Sequence, residues 1–136
     1  MRADATFTVE SFVPVDPAPL STGPTGTPLA VATMQKRYTG DVEGRSATMF
    51  TAAFDPKTGV GTYVAMESFE GSLRNRRGTF NFAHSATTSG SDRTEEFFTI
   101  VPTSGTDELT GLLGSGGMAI DADGTHRIWF DYDLAD

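Results

Sequence analysis

The sequence contains no cysteine, and it has only two histidines and one tryptophan. Without thiols there can be no disulfide, no thiolate-bound zinc, no iron–sulfur cluster and no cysteine nucleophile. Two histidines cannot furnish a three-histidine metal site. Basic residues are also scarce: 10 Lys and Arg stand against 18 Asp and Glu, a formal net charge of −8. That balance opposes nucleic acid or an anionic membrane as main partner, because both are bound by neutralising phosphate. No apolar run approaches the roughly 20 residues that span a bilayer. The opening Met1-Arg2-Ala3-Asp4 leads into alternation, not into the apolar core of a signal peptide. The expectation is a cytoplasmic single domain over residues 1–136, able to bury roughly two thirds of its unfolded surface unaided by staples.

What the chain does have is alternation with period two, punctuated by turn residues. Strands are predicted over 5–13, 29–42, 45–54, 62–73, 78–88, 93–102, 117–122 and 126–134. In the first, Phe7, Val9, Ser11 and Val13 share a side. Residues 14–28 hold Pro14, Pro17, Pro19, Pro24 and Pro28, and missing N–H groups make this a long surface connection. Glu43-Gly44 and Asp55-Pro56-Lys57-Thr58-Gly59 mark turns. The one candidate helical turn lies at 106–112, with Thr106 as cap, Asp107 and Glu108 at its N-terminus, and Leu109 and Leu112 plugging one end of the fold. Eight short strands without a helical stripe predict an all-β fold, a closed antiparallel barrel whose interior is filled by side chains or holds one small ligand. A sandwich is the competing architecture.

The best chemical constellation comes from hairpin pairing. A loop centred on Asn75-Arg76 sets Leu73 opposite Gly78, Phe69 opposite Phe82 and Glu67 opposite His84. Tyr63, Ala65, Glu67, Phe69 and Leu73 then share a face with Phe80, Phe82 and His84. A carboxylate touching an imidazole in apolar surroundings suits acid–base chemistry, with Glu67 and His84 as the catalytic candidates. The same contact would equally satisfy two buried polar groups with no further role. In Glu95-Glu96-Phe97-Phe98 the preceding turn, Ser89-Gly90-Ser91-Asp92, permits more than one register. Trp129 reads as a packing residue, and Arg74, Arg76 and Arg77 as a solvated tip. Gly114-Ser115-Gly116-Gly117 lacks the βαβ context of a dinucleotide loop, and Asp121-Ala122-Asp123-Gly124 lacks the closing glutamate of a calcium loop. No Gly-x-Ser-x-Gly elbow or phosphate loop is present.

Tyr38-Thr39-Gly40-Asp41-Val42-Glu43-Gly44, Glu67-Ser68-Phe69-Glu70-Gly71-Ser72-Leu73, Gly78-Thr79-Phe80-Asn81-Phe82-Ala83-His84, the stretch from Ser104 to Gly114 and the ending Phe130-Asp131-Tyr132-Asp133-Leu134 together resemble one bacterial family, domain-of-unknown-function three-two-two-four. The resemblance runs from about residue 29 to the end. More distantly, Tyr38-Thr39-Gly40-Asp41 and the 105–114 stretch are similar to allene oxide cyclases and dirigent proteins, cofactor-free barrels that guide cyclisation or coupling of a bound apolar intermediate. The resemblance implies an allene-oxide-cyclase-like barrel with an internal ligand site, without assigning a reaction. It also favours Phe98, and with it Glu96, facing inward. The chain departs from the family at Thr103 and Asp107, where glycine is usual, and at Ala65, where glycine is common. Placed near the barrel mouth or lining, these changes would give the chain its own ligand preference. The cavity cysteine of the plant cyclases has no counterpart.

The leading expectation is therefore a cofactor-independent barrel, with no metal, that binds a small apolar organic molecule and promotes isomerisation or cyclisation. Glu67 and His84 would manage protons, while Tyr63, Phe69, Phe80, Phe82, Glu96 and Phe98 would bind substrate. A non-catalytic carrier or sensor with the same cavity is the alternative, and a filled barrel that works through its outer surface is a third. Neither nucleic acid nor membrane is an expected partner; self-association into a homo-oligomer is compatible with all three.

Overall fold

The computed structural model describes residues 1–16 and 25–134. Eight antiparallel strands form one sheet: β1 (Arg2–Val15), β2 (Leu29–Gly40), β3 (Val42–Asp55), β4 (Val60–Leu73), β5 (Arg76–Ser89), β6 (Asp92–Ile100), β7 (Leu113–Ile120) and β8 (His126–Asp133). Their spatial order is β6-β5-β4-β3-β2-β1-β8-β7. The sheet curls into a nearly closed barrel, as the alternation predicts. Between β6 and β7 packing replaces a hydrogen-bonded ladder: the Phe98 ring of β6 lies against Gly116 of β7, where a Cβ would stand 2.8 Å from the ring. Among the described residues no helix is long and apolar enough to cross a membrane.

Inward residues build a core of Ala3, Ala5, Phe7, Tyr38, Phe69, Leu73, Phe80, Phe82, Ile128 and Phe130, with Leu109 and Leu112 sealing one end. Leu109 ends a 3-10 turn, Asp107–Leu109, and Leu112 follows it. Thr106 stands at the N-cap of the turn, but its hydroxyl makes no capping bond; it accepts from the Thr79 N–H at 3.0 Å and ties the plug to β5. Trp129 lies on the outer side of β8 across Gly117, with the Arg2 guanidinium 5.1 Å above its ring.

Several expected boundaries move, each for a physical reason. β1 continues through Pro14 to Val15, because beyond Phe7 it pairs only with β2 and its other edge needs no N–H. Pro17, Pro19 and Pro24 of the predicted connection lie outside the described residues. A bulge between Val9 and Ser11 breaks the phase of β1, so Phe12, opposite Met34, follows Phe7 and Val9 on the interior side in place of Ser11 and Val13. The β2–β3 turn sits at Asp41 and not at Glu43-Gly44. Gly44 is instead a strand residue pressed against Gly71, where a Cβ would come within 2.2 Å of a carbonyl oxygen of Glu70. Strand β7 begins at Leu113, absorbing the glycine-rich run, since those glycines let β7 lie flat on Trp129 and Phe98.

The consequential shift is at the β4–β5 hairpin. Its two-residue turn is Arg74-Asn75, both left-handed at φ 45° and 69°, the signature of a type I′ turn. Arginine is an unusual occupant. It is held there by a hydrogen bond from its N–H to Asp41 O (2.8 Å) and from its Nε to Arg2 O (2.7 Å). The pairing is therefore Leu73 with Arg76, Phe69 with Phe80, Glu67 with Phe82 and Ala65 with His84. That is a slip of two from the expected register, and an even slip leaves every side chain on its expected face.

Candidate functional site

Because the slip is even, Glu67 and His84 become diagonal neighbours on the inner face, still within reach of each other. His84 Nε2 lies 2.5 Å from Glu67 Oε2. Three further donors converge on this carboxylate, which is wholly buried. Lys36 Nζ donates to Oε2 at 2.8 Å, and the hydroxyls of Tyr38 and Ser46 donate to Oε1 at 2.6 and 2.7 Å. Neighbouring strands supply them: β2 carries Lys36 and Tyr38 in phase with its inward Ala32, and β3 carries Ser46. The Lys36 ammonium also sits 4.8 Å from the centre of the Phe7 ring.

Burial alone would raise the Glu67 carboxyl, but the His84 hydrogen bond and the Lys36 charge outweigh it and hold the group well below the usual carboxylate range. Burial pushes the His84 imidazole down from its ordinary value, against the pull of Glu67. The resting pair is an anion beside a neutral ring. An ionised carboxylate only accepts, so Nε2 carries the imidazole proton and Nδ1 is left as an acceptor. Tyr63 fills that role from β4, with its hydroxyl 2.7 Å from Nδ1. Arg93 of β6 in turn donates from Nη2 to the Tyr63 oxygen at 2.7 Å and from Nε to Glu96 at 2.8 Å. Burial raises the Tyr63 phenol while Arg93 works against that rise.

The result is a continuous chain from a sealed carboxylate, through an imidazole, to a phenol beside a guanidinium. It ends in a cavity of about 200 Å³ at the open end of the barrel. Tyr63, His84, His126, Arg93 and Lys36 supply its polar wall, and Phe7, Phe50 and Met118 stand among its apolar residues. Phe50 stacks on Tyr63 with ring centres 5.5 Å apart. That volume is below the usual span for drug-sized ligands, roughly 300–1,000 Å³, and suits a small molecule.

The residues singled out from sequence separate into groups. Glu67, His84 and Tyr63 come together. Phe69, Phe80 and Phe82 are buried in the packed core, not in the cavity wall. Phe98 stacks on both Phe82 and His84, backing the imidazole. Glu96 is absent from the cavity lining: it stands half exposed at the rim and accepts from Arg93 Nε, in a bulge between the partners of Ser85 and Thr87 where Glu95 adopts φ 52°. Thr103 and Asp107 do not line the cavity either; both occupy left-handed positions, at φ 66° and 52°, in the exposed segment after β6. Ala65 is interior, opposite His84.

Sequence reasoning missed Lys36, Tyr38, Ser46 and Arg93. A lysine in phase with Ala32, Met34 and Tyr38 was the available signal, since a cation on a core face needs a buried anion. Arg93 follows a turn of ambiguous register and carried no such mark. Among the described residues no cluster of three or more His, Asp and Glu side chains is placed to hold a metal ion.

Fold and site define a small antiparallel barrel with an ionisable relay leading to an interior cavity. The chain belongs to the family described as protein of unknown function (DUF3224), whose model matches residues 3–132. It is similar to the crystal structure of a protein with unknown function from that family from Shewanella oneidensis MR-1, with 28% identity and a TM-score of 0.86 over 100% of this chain and 98% of the other. No curated protein matches the chain.

Proposed function

We propose that the barrel is a cofactor-independent, cytoplasmic enzyme that binds a small, mainly apolar organic molecule and promotes its isomerisation or cyclisation by proton transfer. The observation that carries this is the Glu67–His84–Tyr63 chain, which connects a buried anion to a hydroxyl on a cavity wall. Tyr63 passes its proton to His84 Nδ1, leaving a phenolate facing Arg93 and an imidazolium facing Glu67. The phenolate removes a proton from a carbon next to an electron-withdrawing group of the ligand, and the re-formed phenol returns it at another carbon. His84 then hands the first proton back. No electrons leave the ligand, so no redox partner is needed. The apolar wall holds the reacting carbon against the phenol, and general acid–base help of this kind contributes roughly 10²–10⁴-fold.

The test is deuterium exchange. Small enolisable ketones and β,γ-unsaturated acids incubated with the protein in D₂O should acquire deuterium or shift their double bond, as followed by proton NMR, with Tyr63→Phe inactive. Binding across the panel without exchange would identify a carrier with the same cavity.

A further inference from the structure

We infer that the cavity selects a ligand with an anionic oxygen group, a small apolar monocarboxylate, with Arg93 as the residue that recognises it. The inference rests on the interior ligand site proposed above but not on its chemistry. The polar atoms that line the cavity are unequally divided between signs. Lys36 and Arg93 both reach its wall, whereas the Glu67 carboxylate behind them is wholly buried and already accepts from four side chains. A ligand therefore meets donors and cations, and the anion that balances Lys36 is out of its reach.

Arg93 has donors to spare. A guanidinium carries five N–H groups, and among the described residues this one directs Nε to Glu96 and Nη2 to Tyr63. Its remaining N–H groups have no protein acceptor there. The Glu96 partner is a weak competitor: its side chain is 49% exposed while that of Arg93 is 14% exposed, so solvent screens the pair on the carboxylate side. Apart from the His126 ring, the rest of the wall, with Phe7, Val9, Met34, Phe50, Met118 and Ile120, is apolar and would house a hydrocarbon body. A single planar carboxylate fits the fork of one arginine, while a compact space of about 200 Å³ leaves room for little more than a ring or a short chain.

Phenylacetate and its neutral isostere phenylacetamide discriminate charge at constant shape, and their dissociation constants are to be measured by calorimetry at low and moderate salt. The protein should bind phenylacetate about tenfold tighter than phenylacetamide or more, the scale of a hydrogen bond to a charged group. Arg93→Gln should erase that preference and keep phenylacetamide binding. Glu96→Gln should tighten phenylacetate alone, a gain that misfolding cannot produce. Equal affinity for both probes, or a preference that survives Arg93→Gln, would overturn the anion selection while leaving the interior site standing. Failure of both probes to bind would remove the interior site and this inference together.

Discussion

The Tyr63 hydroxyl meets His84 on the ring edge opposite to Glu67, with oxygen to Nδ1 at 2.7 Å and Nε2 to carboxylate at 2.5 Å. The imidazole can therefore accept a proton from the cavity side only while its other nitrogen donates to a fixed anion. Four donors fix that anion, so it has no freedom to rotate toward a ligand. Glu67 orients the ring from behind, while Tyr63 and His84 are the members of the chain that reach the cavity wall.

Tyr63→Phe is thus expected to abolish the proton-transfer reaction, with loss of roughly 10²–10⁴-fold in turnover, while ligand affinity changes little. Glu67→Gln should lower turnover on the same scale, because an amide cannot stabilise the imidazolium. Steady-state rates with a substrate from the exchange panel, set beside calorimetric affinities, check both. Unchanged turnover in either variant would remove that residue from the mechanism.

The site should also make stability acid-sensitive. His84 is held neutral below its ordinary value of 6.5, so the unfolded chain binds its proton first, and stability present above pH 6.5 declines as the pH falls below it. Glu67 is depressed from 4.5, so its contribution is complete above pH 4.5 and drains away below. Thermal midpoints should be level from pH 7 to 8, slope gently from about 6.5, and drop more steeply below about 4.5. His84→Gln should flatten the upper slope and weaken the lower one, which Lys36 still sustains.

Much of this was legible because period-two alternation survives errors of register. The β4–β5 turn was misplaced, yet an even slip kept Tyr63, Glu67 and His84 on the interior face. An odd slip would have put His84 on the opposite face from Tyr63 and Glu67. What was illegible depended on bulges and on long-range partners. The phase break after Val9 and the left-handed Glu95 have no local signature, and they set the face of Phe12 and the irregular pairing around Glu96. Lys36 is 31 residues from Glu67 in the chain, and only the curl of the sheet across β3 brings them together.

Lys36→Met tests how far that buried pair matters to the fold. Both side chains are at most 5% exposed, so removing the cation strands a desolvated carboxylate, and a loss of about 3–5 kcal/mol is expected. The double variant Lys36→Met/Glu67→Gln should be less destabilised than the two single effects combined, with coupling of about 0.5–3 kcal/mol. Urea denaturation of the four proteins closes the cycle. Additive losses would show that the ammonium contributes through packing on Phe7 and not through charge.

Thr103→Gly should stabilise the protein without touching the site. Thr103 holds φ 66°, and a β-branched residue in the left-handed region is strained by about 1–2 kcal/mol. Glycine relieves that strain but gives back about 0.5–1 kcal/mol through the freedom it adds to the unfolded chain. The expected gain is therefore up to about 1 kcal/mol. Asp107→Gly should gain less, because aspartate tolerates the left-handed region better than threonine does. Gly59→Ala is the converse control: at φ 75°, with open space around its Cβ position, it isolates the backbone penalty and should destabilise. Since Thr103 is exposed and away from the cavity, the phenylacetate affinity of Thr103→Gly should equal that of the parent. A shifted affinity would return this position to ligand selection, and an unchanged denaturation midpoint would mean that the threonine carries no backbone strain.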